Sequence, residues 1–429
     1  MTGTADRTAV VGASTEFEPD VMELLVETLN RAGRRELSVV GTDTLLGALV
    51  LGDTDAGAAI APGMRKAGAL SGLISGRSGD GWVSDDEAPG APAGPGAGAE
   101  TQDADGNEVD AAWREAQWRL VSASRGSDAD SGPVRLGMSG ALRACLLTAL
   151  GSARAEGTIS VRCRHVARAL LELPDTRARE ALLLRQLDVA AALSALDLLD
   201  TSAAAGEEEP ESRGVTLLRR AGTLGKSGNR LTRALTSWTS GSAVNGSPVL
   251  FAVSVEAMRQ AVRCGRTEVG PVDLLLGTLA LDRALFVAGR SLPGSMEQAN
   301  SAPELLRRHG ARQHSLVRSA SAGRTADAPL ENRVRRSAAC ERVQARAQLS
   351  AAEHGSPTVG TVHLLSALLD EPATGTDTVG ADGTGTDTAG ADGTGTDTAG
   401  TDAEVAGLLA AGQVDVAALR ADLDLRLGA

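Results

Sequence analysis

One eleven-residue phrase recurs four times along the chain, and it limits the possible folds more than any other feature. It reads Val40-Gly-Thr-Asp-Thr-Leu-Leu-Gly-Ala-Leu-Val50, then Val161-Arg-Cys-Arg-His-Val-Ala-Arg-Ala-Leu-Leu171. The third and fourth copies are Val269-Gly-Pro-Val-Asp-Leu-Leu-Leu-Gly-Thr-Leu279 and Val359-Gly-Thr-Val-His-Leu-Leu-Ser-Ala-Leu-Leu369. A unit repeated in this way buries its apolar face against neighbouring copies rather than alone. Each copy has the form of a helix start. Thr42 and Thr361 are placed as N-caps, and Gly270 caps with Pro271 at the first helical position. Apolar residues follow at helical spacing, as at Leu364, Leu365, Leu368 and Leu369, leaving a stripe that must face a neighbour.

A helical pattern precedes every copy: Asp20 to Ala32, Ser139 to Ala155, Val249 to Cys264 and Val334 to Glu353. Gly157, Gly265 and Gly355 stop the last three. Shorter helices follow the phrase, as from Leu305 to Leu316 and from Leu408 to Leu419. With only seven aromatic residues and no tyrosine, any core is built mainly from Leu, Val and Ala, which favours packed helices over sheets. The expected fold class is all-α, as two helical domains, Phe17 to Asp200 and Ser247 to Ala429, with no sheet of consequence.

Between these patterns the composition changes. Residues 79–133 are rich in Gly, Pro, Ala and Asp and read as a flexible linker. Residues 201–246 read as a second linker, acidic at Glu207 to Glu209 and basic afterwards. The repeats then occupy 16–78, 134–200, 247–320 and 331–429. The last contains an insert over 372–402 built on a ten-residue TGTDTAGADG repeat, which has too little apolar content to form a core.

The fourth copy resembles the "(I/V)GTEHLLLALL" phrase of the repeat in the N-terminal domain of Clp-type unfoldases. The Ala-rich helix ending at Gly355 and the closing segment Val405 to Leu427 resemble that repeat as well. The resemblance implies that copies pair as pseudo-twofold helical domains, one with two and three with four. It further implies a domain that binds substrates, adaptor proteins or, in some members, phosphorylated arginine, normally ahead of an AAA+ motor. Members that bind phosphoarginine use an acidic residue after the Gly-Thr, and only Asp43 matches it here. Arg164, Val272 and Val362 stand at the other three positions.

The formal net charge is −13, which repels nucleic acid and anionic membrane surfaces on average, so neither is an expected partner. Cys145, Cys163, Cys264 and Cys340 are scattered in apolar patterns without a CxxC pair, as small buried residues are. There is no basic leader with an apolar core at Met1 to Val11 and no apolar run long enough to span a bilayer, so the expected location is cytoplasmic.

Several motifs invite a catalytic or ligand-binding reading. Gly222-Thr-Leu-Gly-Lys-Ser227 resembles the end of a phosphate-binding loop, but Arg220 stands where its first Gly is required. Asp103 to Asn107 looks like a calcium loop, but Glu108 and Arg114 replace the Gly and Glu that the loop needs. Cys163 and His165 lack a second ligand pair for zinc, and His165 and His363 share a first-turn repeat position that suits packing or capping. The chain is therefore expected to have no catalytic residues, cofactor or metal.

Three features keep alternatives open. Between Arg307 and Arg346 there are ten Arg against three acidic residues, suiting a solvated face, a dock for an acidic partner or a nucleic-acid patch. Val109, Ala112, Trp113, Ala116 and Leu120 form one helical stripe, either a strut folded back on the repeats or a docking peptide. At the helix starts, Thr42, Asp43 and Thr44 of copy one and Thr361 and His363 of copy four either cap their helices or offer free N–H groups to an anionic or polar ligand. Asp43 is expected to be exposed. The functional expectation is a non-catalytic protein-recognition module, an adaptor or regulator whose protein partner is a Clp-type component or its substrate. The alternative is a helical scaffold unrelated to proteolysis that reuses the fold.

Overall fold

The computed structural model describes residues 12–77, 81–87, 99–123, 135–203, 210–224, 247–321, 334–371 and 404–428. Within them the protein is mostly helical, and extended structure is limited to three two-residue parallel ladders. The first half runs β1 (Glu16–Phe17), α1 (Pro19–Arg34), β2 (Val39–Val40), α2 (Thr42–Leu51), α3 (Asp55–Ile60), α4 (Met64–Gly76) and α5 (Ala99–Ala123). It continues β3 (Gly137–Met138), α6 (Gly140–Ala155), β4 (Ser160–Val161), α7 (Cys163–Glu172), α8 (Arg177–Leu184) and α9 (Val189–Ala203).

The second half begins with α10 (Arg213–Arg220), α11 (Pro248–Arg263), β5 (Glu268–Val269), α12 (Pro271–Val287) and α13 (Gly294–Glu297). It ends with α14 (Ala302–Arg308), α15 (Gln313–Ser321), β6 (Arg335–Arg336), α16 (Ala338–Glu353), α17 (Thr361–Leu369), α18 (Glu404–Ala411) and α19 (Val416–Leu427). The four recurring phrases open α2, α7, α12 and α17.

The ladders tie the copies together reciprocally. β1, ahead of α1, pairs with β4, ahead of α7, while β2, ahead of α2, pairs with β3, ahead of α6. In the second half β5, ahead of α12, pairs with β6, ahead of α16. The complementary contact is made by Ser247, whose hydroxyl caps α11 at Leu250 N and donates to Val359 O at 2.6 Å. Capping hydroxyls of this kind also start α6 (Ser139), α8 (Thr176) and α16 (Ser337). Two cores result. Leu25, Leu46, Leu146 and Leu170 are fully buried in one, and Leu218, Leu276, Leu306 and Leu409 in the other.

The linker readings need correction where they fall on described residues. Within 79–133, α5 is a 25-residue helix packed on α1 and α11, with Val109, Ala112, Trp113 and Ala116 buried. The Trp113 indole N–H donates to Leu136 O at 3.1 Å, so the stripe is a strut. Its apolar spacing outweighs the Gly and Pro content around it. Within 201–246, α10 starts at the cap Ser212 and buries Val215 and Leu218 against α11. The insert over 372–402 and Gly225, Lys226 and Ser227 of the phosphate-loop look-alike lie outside the described residues.

Where the halves meet, charged side chains are buried. Arg259 reaches Glu16 and Glu256, each at 2.8 Å; Arg263 reaches Glu108 at 2.6 Å and Glu115 at 3.1 Å. Arg283 reaches Glu18 at 2.6 Å and donates from Nε to Ser14 O. Such pairs add little net stability, but removing one partner strands a buried charge, so they fix how the halves dock.

Candidate functional site

The first turn of α2 is occupied by the chain itself. Thr42 N donates to Asp86 Oδ2 at 2.8 Å and the Thr42 hydroxyl to Oδ1 at 2.6 Å. Ser139 Oγ and Arg177 N donate to the same carboxylate at 2.7 and 3.1 Å, and Ala178 N donates to Thr42 Oγ1. Asp86 is completely buried with φ at +64°, and it takes the place an incoming anion would have at these helix N-termini. Gly41 permits the approach, because a Cβ there would lie 2.6 Å from Asp43 Oδ1 and 3.0 Å from Asp86 Oδ2.

Asp43 is not exposed: it is 3% accessible and faces the Arg35 guanidinium at 3.6 Å. Burial, then the neighbouring Asp86 charge, push its pKa up, against the pull of Arg35 and Arg177. The expectation of exposure failed because the segment carrying Asp86 folds over the helix start.

Copy four has the same arrangement with a neutral partner. Thr361 N donates to Asn300 Oδ1 at 3.1 Å, Ala302 N to Thr361 Oγ1 at 3.4 Å, and Gly360 N to His363 Nδ1 at 3.0 Å. His363 is buried, and burial followed by the proximity of His354 lowers its pKa. The structure thus keeps Thr42, Asp43 and Thr44 together in one half and Thr361 and His363 in the other.

The remaining copies also cap themselves. His165 Nδ1 accepts from Arg162 N at 2.8 Å, Cys163 N donates to Asp20 Oδ2, and Gly270 N donates to Asp273 Oδ2. Burial raises the pKa of all four cysteine thiols, that of Cys340 to about 11, so none is a ready nucleophile. No group of three metal-ligating side chains occurs among the described residues. Asp103 to Asn107 lie in helix α5 rather than in a loop.

Thr44 differs from the other four. The residue is 2% accessible, its buried hydroxyl has no hydrogen-bond partner, and it lines a pocket of about 260 Å³. Arg31, Arg34 and Arg35 rim this pocket and Gly47 and Ile74 line it with apolar surface. Arg31 pairs with Glu27 at 2.8 Å and Arg35 donates to Arg77 O, whereas Arg34 is exposed and has no partner among the described residues. Sequence reasoning found Thr44 but missed the arginines, which read as ordinary basic residues at a helix C-terminus.

Half of the described arginines of the 307–346 tract are spent internally. Arg307 pairs with Asp282, Arg308 with Glu304, and Arg342 and Arg346 with Glu371. Among the described residues no helix is long and apolar enough to cross a membrane. The chain matches no family model, and comparisons with curated proteins and with solved structures give no match.

Proposed function

We propose that this chain is a non-catalytic protein-recognition module, an adaptor or regulator that works alongside Clp-type proteolysis. The observation behind this reading is the reciprocal pairing of copy one with copy two through β1–β4 and β2–β3. The resemblance to Clp N-terminal repeats implies pseudo-twofold pairing of one with two and three with four, and this exchange, with the bridge β5–β6 and the Ser247–Val359 contact in the second half, supports that pairing.

The surface offered to a partner is the pocket at Thr44. An unpartnered buried hydroxyl, three guanidinium groups at its rim and an apolar wall suit an acidic side chain of a polypeptide. The Asp86 cap leaves the helix start of α2 with no part in that contact beyond holding Thr44 in place.

The test is capture of purified proteins on the immobilised full chain. Clp-type unfoldase and protease subunits from the same cell and a reduced, carboxymethylated unfolded client are offered separately. Retention of either one, and its loss with Arg34→Glu, supports the reading. Failure to retain any of them overturns it and leaves a scaffold that reuses the fold.

A further inference from the structure

A second cavity lies between the two cores and is independent of the recognition surface. Its volume is about 420 Å³, within the span of roughly 300–1,000 Å³ typical of small-molecule sites. Both halves line it: Ser14, Asn107 and Arg154 from the first, and Arg263, His314 and Arg318 from the second.

The lining is rich in donors. Arg318 is exposed and makes no hydrogen bond or ion pair among the described residues. Arg154, a third exposed, is paired with Asp105. Arg263 is only 2% exposed; its two terminal nitrogens are taken by Glu108 and Glu115, but its Nε is buried without an acceptor. The one carboxylate in the lining, Glu108, is held by Arg263 through both oxygens. The cavity wall therefore carries a free cation, an orphaned N–H, an amide and a hydroxyl, and no free carboxylate. An oxyanion satisfies that set, and charge-assisted contacts from guanidinium groups are the strongest available to it.

We propose that this cleft binds a small organic oxyanion, a carboxylate or a phosphate ester, whose charged group sits between Arg318 and Arg154. Because the wall is shared, the ligand touches both halves at once. Occupancy then reinforces a junction otherwise held by buried ion pairs, and ligand level becomes a signal that the two halves read together.

Calorimetric titration of the full chain at low ionic strength tests this, with inorganic phosphate and succinate as separate probes and sodium chloride as the ionic-strength control. At least one probe gives saturable 1:1 heat, and Arg318→Gln weakens it by about fivefold or more, the scale of one lost charge-assisted contact. The melting temperature of that variant stays that of the parent, because Arg318 holds no partner. Arg65→Gln, an exposed charge on α4, leaves the affinity unchanged. Preference for phosphate assigns a phosphoryl ligand, and preference for succinate a carboxylate. Absence of saturable heat from both probes overturns the proposal, as does unchanged affinity in Arg318→Gln or an equal loss in Arg65→Gln.

Discussion

The hydroxyl of Thr42 donates to the carboxylate of Asp86 at 2.6 Å, across 44 residues of chain. Asp86 collects four donors in all, from α2, α8 and the cap of α6, and it is completely buried. Asp86→Ala leaves those donors without an acceptor, and the expected loss is about 3–5 kcal/mol. Asp86→Asn keeps the shape and one acceptor oxygen, and it is expected to lose about half as much. Urea unfolding of the three proteins measures both. A change below about 0.5 kcal/mol for Asp86→Ala contradicts the capping role.

Helix α5 gives a second expectation. Because it packs as a strut, Trp113→Ala is expected to cost about 3–5 kcal/mol, as truncating a large buried aromatic does. Replacing 99–123 by a Gly/Ser segment of equal length then lowers the melting temperature of the first half. A spacer with no packing role leaves both values at those of the parent, and differential scanning calorimetry separates the outcomes.

Much of the fold was legible because helical periodicity is local, although α2 and α17 are capped by Gly41 and Gly360, one residue ahead of the expected Thr42 and Thr361. The four expected helices preceding the phrase lie within four residues of their observed ends, and of the readings left open for His165 and His363 (packing or capping, with His363 also a binding candidate) their Nδ1 contacts fit capping. The candidate site was less legible. Asp86 sits in a Pro- and Gly-rich stretch whose composition reads as spacer, and no local pattern announces that its carboxylate crosses to Thr42. The same non-locality hid the Arg259–Glu16 contact, which joins residues 243 positions apart. Asp43 was misjudged for that reason: exposure depends on what the rest of the chain lays over a helix start.

Close helix packing yields a matched pair of substitutions. A Cβ at Gly277 of α12 would meet Ala257 N at 2.6 Å and Val253 O at 2.8 Å, both backbone atoms of α11. Gly277→Ala must push the helices apart and is expected to cost about 1–3 kcal/mol. At Gly47 the nearest atom is 3.6 Å away on Ile74, so Gly47→Ala should be neutral or slightly stabilising. Chemical denaturation that ranks Gly47→Ala as the more damaging change contradicts this packing.

The buried charges at the junction predict an acid response. Burial alone raises the pKa of Glu16, but Arg259, Arg283 and Arg263 outweigh it and hold the carboxyl well below its ordinary value. Glu115 is lowered likewise, burial being outweighed by Arg119, Arg259 and Arg263. A folded value below the unfolded one, about 4.3, means that protons bind the unfolded chain more readily. The stability these groups contribute is complete above the unfolded value and is lost as pH falls through it toward the folded one. Between about pH 5 and pH 2 the parent therefore loses stability more steeply than Glu16→Gln, although that variant is less stable at pH 7. Parallel slopes in urea midpoints across that window contradict the assignment.

Recognition of an acidic polypeptide at the Thr44 pocket is tested most directly by fluorescence anisotropy. A labelled unfolded client is titrated with the full chain in its acidic form and again with its Asp and Glu changed to Asn and Gln. The expected result is saturable binding of the acidic form, weakened about tenfold by Arg34→Glu with no more loss of stability than the small cost of reversing one charge at a helix C-terminus, and much weaker binding of the neutral form. Equal affinity for the two forms, or an Arg34→Glu variant that binds like the parent, contradicts it.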